Sequence, residues 1–208
     1  EDLPTNEEKQ LRPKEVKFDT WDDLLKWEPG KRVDDDLNRA SVPLASRFQG
    51  KQINEQANPD AKIQSLSNMN SKAKDHASVG GEEFKAYAFD YWQYLDSMVF
   101  WEGLVPSADV IDAAHRNGVP IYGTLFYNWS SSIKDQERFA ETLKEDSEGS
   151  KTFPIARKLV DLAKYYGFDG YFINQETTGN LVEPLGPKLR DFLLYTKEYA
   201  KSINYPIK

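Results

Sequence analysis

The chain has 208 residues, 39% hydrophobic and 13% aromatic, which argues against disorder and leaves room for one domain with a real core. Its 34 acidic against 27 basic residues give a net charge of -7 with no basic block, which argues against nucleic acid as partner, since a phosphate backbone calls for a Lys/Arg footprint. The absence of cysteine excludes disulfides, zinc-thiolate clusters and a thiol nucleophile, and no run of about 18 apolar residues offers a membrane span in this segment.

Residues 1–17, polar and carrying Pro4 and Pro13, read as a tail or linker. Thr20 and Asp23 form a capping box for a short helix through Leu24, Leu25 and Trp27, stopped by Pro29-Gly30. Ser41–Ser46 is a candidate strand despite Pro43. The stretch 47–82, rich in Asn, Gln, Lys and Ser, reads as a long loop with one helical turn at most. Tyr94–Trp101 is apolar and aromatic, as a buried strand should be. Ser107 opens a helix through Val110, Ile111 and Ala114 that ends at Asn117-Gly118. Val119–Tyr127 is the next strand, and Lys134–Glu145 a surface helix. Pro154 starts a helix with Ile155, Leu159, Leu162, Ala163 and Tyr166 on its inner face, closed by Gly167. Phe168–Asn174 is a fourth strand. Leu189, Phe192, Leu193, Tyr199 and Ala200 line a last helix, and another strand is expected after it.

Helix, glycine, short apolar strand, loop and helix again is the grammar of βαβ units and a parallel sheet. A doubly wound sheet fits the strand count but calls for a Gly-rich phosphate turn, and none is present. A barrel takes eight strands and about 250 residues, so the fold class predicted is α/β: the first half of a (β/α)8 TIM barrel over 18–208, with the remainder in another chain or absent.

Phe168 to Glu176 is the most informative segment. Strand side chains alternate, so Phe172, Asn174 and Glu176 share one face while Tyr171 and Ile173 take the other. Positions two apart on a strand lie about 6.6 Å from each other, so an amide and a carboxylic acid face one ligand together at the strand end where barrel sites sit. Glu176 has the chemistry of an acid that protonates a leaving glycosidic oxygen. Asn174 cannot be a nucleophile, but it can hold a substrate's own acetamido group while that group attacks. On spacing alone a plainer reading stands equally: the two residues cap a strand and begin a polar loop. Trp101, Tyr127 and Trp129 at strand ends offer rings for a sugar face, against the alternative that most such rings are core; Glu102 beside Trp101 is either a pocket partner or a solvated charge. Phe172 completes the predicted substrate-binding set. His115, near the C-terminus of its helix, reads as structural, and His76 earns no role.

Tyr165–Glu176 resembles the active-site strand of the family 85 glycoside hydrolases, the endo-β-N-acetylglucosaminidases. Trp92–Asp96, Ala113–Val119, Gly123-Thr124 and Phe18–Leu25 match that family in the same order. The resemblance implies a catalytic (β/α)8 barrel that cleaves the β1,4 bond between the two core GlcNAc residues of N-linked glycans. Glu176 would be the acid/base and Asn174 would orient the acetamido group; an oxazoline intermediate retains configuration without metal or cofactor. The family's later-strand tyrosine has no counterpart here, so this chain alone is expected to be inactive. β-Sandwich modules after the barrel and a secreted or cell-wall-attached bacterial location are further implications. A non-catalytic glycan-binding module, which needs the rings but no acid, and a parallel α/β enzyme acting on a non-sugar substrate are the competing readings.

Overall fold

The computed structural model describes residues 16–32, 35–47, 50, 54–67, 89–101 and 103–208. Among these residues, four parallel strands, β1 (Gln64–Ser67), β2 (Ser97–Phe100), β3 (Ile121–Tyr127) and β4 (Gly170–Gln175), form one sheet in the order 1-2-3-4. Its helices are α1 (Trp21–Lys26), α2 (Ala108–Arg116), α3 (Ile133–Thr142), α4 (Pro154–Tyr166) and α5 (Gly186–Ser202). Consecutive parallel neighbours, with α2 between β2 and β3 and α3 and α4 between β3 and β4, are the first half of a (β/α)8 barrel. The backbone continues that order: Tyr171 N donates to Lys208 O and Lys208 N to Asp169 O, each at 2.9 Å, so Lys208 lies beside β4 as the next parallel residue.

Local chemistry sets most boundaries. Thr20 and Asp23 bond each other's backbone in a capping box that starts α1. Pro154 fits the first turn of α4 and Gly167, with φ +89°, ends it. Ser107 occupies the N-cap of α2, yet its hydroxyl makes no hydrogen bond. The face of α4 carrying Ile155, Leu159, Leu162, Ala163 and Tyr166 is buried against the sheet and α5, and each large side chain there contributes about 2 kcal/mol of apolar burial. At Gly123 a Cβ would lie 2.0 Å from Leu104 O, and Thr124 N bonds Gly103 O at 2.9 Å. The chain after β2 therefore folds back along β3 through a position that admits only glycine.

Several expected elements are corrected. Residues 41–46 form no strand. Their polar groups are taken by α2: Asp112 accepts from Ser41 N and Val42 N at 2.8 and 2.9 Å, and Ala45 N bonds His115 O at 2.9 Å. The first strand instead lies at Gln64–Ser67, inside the stretch read as loop. Of that stretch, 48–49, 51–53 and 68–82 lie outside the described residues, as do His76 and most of the expected tail. Val16 of that tail is buried in the core. The expected strand at Tyr94–Trp101 shortens to β2, because Trp92–Tyr94 turn as a 3-10 helix. Among the described residues, no helix is long and apolar enough to cross a membrane.

Candidate active site

β3 and β4 pair over six positions, with Thr124 beside Phe172 and Phe126 beside Asn174. Paired residues of parallel strands face the same way, so Thr124, Phe126, Phe172 and Asn174 share the inner face of the curved sheet. Trp101, just past β2, closes the group: its ring lies 5.6 Å from Phe126, edge-on, and 6.1 Å from Phe172. Trp101, Gly103, Thr124 and Phe126 line an open cavity of about 280 Å³. At the C-terminal end of β4, Asn174 Nδ2 donates to Glu176 Oε1 at 2.8 Å. Glu176 is exposed and Asn174 half-buried, so both remain within reach of a bound ligand. The opposite face of β4 turns outward to the helices: Tyr171 is half-buried and its hydroxyl donates to Leu159 O at 2.7 Å.

The structure brings Asn174, Glu176, Trp101 and Phe172 to one strand-end cluster. Trp129 stands on the loop after β3, 87% exposed. Glu102 lies outside the described residues. Tyr127 is corrected: it is 3% exposed, faces α3, packs edge-on against Phe139 at 5.0 Å and has no access to the cavity. The Thr142 hydroxyl donates to Arg138 O and so accepts from Tyr127, while burial pushes the Tyr127 phenol up to about 12. Alternation decides between the two neighbours, because period two along 121–127 sends Phe126 inward with Thr124 and Tyr127 outward with Leu125. Phe126, 39% exposed beside Asn174, is the ring the sequence reading passed over.

An acid at a strand's C-terminal end, rimmed by aromatic rings on half of a (β/α)8 barrel, has chemistry that glycoside hydrolysis can use. Glycosyl hydrolase family 85 matches residues 67–206, and the chain belongs to that family. The glycoside hydrolase domain of Endo-D from Streptococcus pneumoniae R6 superposes with a TM-score of 0.90 and 75% identity, over 95% of this chain and 31% of that one. Cytosolic endo-beta-N-acetylglucosaminidase of Danio rerio is 33% identical over 81% of this chain and 23% of its own length. That of Gallus gallus is 29% identical over 81% and 22%. The chain thus spans less than a quarter of the curated relatives it matches. Those relatives also correct the expectation of a secreted or wall-attached protein, since they are named as cytosolic enzymes.

Proposed function

We propose that this chain carries the acid-bearing half of an endo-β-N-acetylglucosaminidase barrel, completed by further strands, that hydrolyses the GlcNAc-β1,4-GlcNAc core bond of N-linked glycans. The observation that carries the reading is the 2.8 Å bond between Asn174 and Glu176 at the open end of β4. Glu176 protonates the glycosidic oxygen as the bond to the anomeric carbon breaks. A second carboxylate is not required as nucleophile where the substrate's acetamido oxygen attacks that carbon and closes an oxazoline. The Asn174 amide, fixed through its N–H by Glu176, turns its oxygen to the acetamido N–H and keeps that group aimed. Water, deprotonated by Glu176, then opens the ring from the face the leaving sugar vacated, and configuration is retained. Trp101, Phe126 and Phe172 offer apolar faces for sugar rings, with Trp129 as an outer platform.

The test is a titration of the completed barrel with a GlcNAc-thiazoline, a stable mimic of the oxazoline, alongside turnover of a glycopeptide. Glu176→Gln should lower turnover about 10³-fold while glycan still binds. Asn174→Ala should weaken thiazoline binding about tenfold, the loss of one good hydrogen bond. Full turnover in Glu176→Gln would sink the assigned role. Glycan binding without thiazoline binding or turnover in the wild type would leave a glycan-binding module.

A further inference from the structure

The pairing of β3 with β4 does not stop where the strands end. Glu176 N donates to Tyr127 O at 3.1 Å and Thr178 N to Ser130 O at 2.9 Å. Between them the Thr177 hydroxyl, 2% exposed, donates to Asn128 O at 2.8 Å. A side chain of α3 closes the series. Gln136, 5% exposed, donates Nε2 to Ser131 O at 2.8 Å and accepts at Oε1 from Leu181 N at 3.0 Å. One buried amide therefore ties the loop after β3 to the loop after β4. Gly179 lies flat on it with φ +131°, where a Cβ would fall 2.3 Å from Oε1 and 2.5 Å from Nε2. Only glycine tolerates both that backbone and that approach.

This bracing sits directly behind an exposed carboxyl group. Glu176 precedes the irregular residues 177–179, and the first turn, in which Val182 N and Glu183 N both bond Gly179 O, begins only after them, so the residues next to the carboxyl group supply little stiffness of their own. A misplacement of about 1 Å at a reacting group costs on the order of 10²-fold in rate. A buried amide with donor and acceptor both engaged resists such drift, because opening it leaves buried polar groups unpaired.

We propose that Gln136 is a positioning residue for the Asn174–Glu176 pair, acting through the 176–182 loop with Thr177 as its second anchor. It touches no substrate. The inference rests on the catalytic reading of that pair given above. Sequence spacing cannot show it, since Gln136 lies in the first turn of α3 and its partners Ser131 and Leu181 belong to two different loops.

The experiment measures kcat, KM and thiazoline affinity in the completed barrel for Gln136→Met, which keeps length and volume but neither hydrogen bond. kcat should fall at least tenfold with KM within about twofold, and thiazoline affinity should fall in step with kcat. Thr177→Val should give a smaller loss of the same kind, and the double variant less than the product of the two, because both act through one loop. A lowered melting temperature with unchanged kcat per folded site would make Gln136 merely structural and overturn the proposal. Should Gln136→Met fail to fold, the same split in Thr177→Val decides the matter. Glu176→Gln in the same assay separates the two readings. If it keeps turnover, the catalytic assignment fails; if it is dead while Gln136→Met matches wild type, only the positioning role fails.

Discussion

Asp169 and Glu176 bracket β4, and the two carboxyl groups live in opposite surroundings. Asp169, at the N-terminal end, accepts from His115 Nε2 at 2.7 Å and from Ile121 N at 2.8 Å. His115 is 3% exposed, and its other nitrogen bonds Val42 O at 2.6 Å. Two acceptors call for two N–H donors, so the geometry favours the imidazolium form, held between a carboxylate and a carbonyl. Nearby, Asp112 takes three donors from Ser41 and Val42, and Tyr166 donates its hydroxyl to buried Asp35 at 2.8 Å. The segment 35–47 is strapped across this end by saturated charges. Glu176, at the other end, is exposed and has Asn174 as its one side-chain donor among the bonds described. In a barrel the first pattern serves stability and the second leaves valences for a ligand.

Substitutions at the two ends should therefore separate activity from stability. Glu176→Gln, whose turnover falls about 10³-fold, should leave the denaturation midpoint unmoved, since no buried partner loses its bond. His115→Ala should do the reverse. It leaves Asp169, one-fifth exposed, short of its cation and should cost about 3 kcal/mol in a denaturant titration, with turnover per folded molecule unchanged. A kcat loss in that variant would mean that the two ends of β4 are coupled.

The same pair sets a pH dependence whose sign is fixed. Burial pushes the His115 imidazole down, but the bonds to Asp169 and Val42 O and the charges of Asp169 and Asp112 outweigh it and hold the pKa above its ordinary 6.5. A raised folded pKa adds stability that is whole below the unfolded value and is lost as pH climbs through the folded one. The gap in midpoint between wild type and His115→Ala should thus be widest below about pH 6.5 and narrow as pH rises above it. A gap that widens with pH would show that the ring is neutral at neutral pH.

What could be read from the sequence follows the range of the forces involved. Pro154 and Gly167 mark α4, and alternation along β4 sets Asn174 and Glu176 on one side, because these signals lie within a few residues of their effect. β1 was missed because Gln64–Ser67 holds one apolar residue, Leu66, itself 49% exposed. Its place is fixed from outside, by Asp96 accepting from Ile63 N at 2.9 Å and by pairing with β2. Residues 41–46 looked like a strand for the converse reason. Val42, Leu44 and Ala45 are apolar, but the backbone bonds of Val42 and Ala45 belong to Asp112 and His115, some seventy residues away. Likewise no local pattern ties Gln136 to the loop behind Glu176.

Among the rings, Trp101→Ala should weaken glycan binding about tenfold, or about 1.4 kcal/mol, because it removes the wall that meets both Phe126 and Phe172. Isothermal titration with a core glycan would read it, and unchanged affinity would place the sugar elsewhere on the rim.

Tyr127→Phe is the smallest change and the strictest check on which face of β3 meets the ligand. Tyr127 and Phe126 are sequence neighbours with opposite environments: one hydroxyl locked to Thr142 beneath α3, one ring 39% exposed beside Asn174. Removing the Tyr127 hydroxyl leaves the Thr142 proton still donated to Arg138 O, so no buried donor is orphaned and the loss should be about 1 kcal/mol of stability. Glycan affinity should not move. If affinity falls while the fold holds, Tyr127 reaches the ligand after all, and the inward assignment of Phe126, Phe172 and Asn174 from strand alternation would be wrong with it.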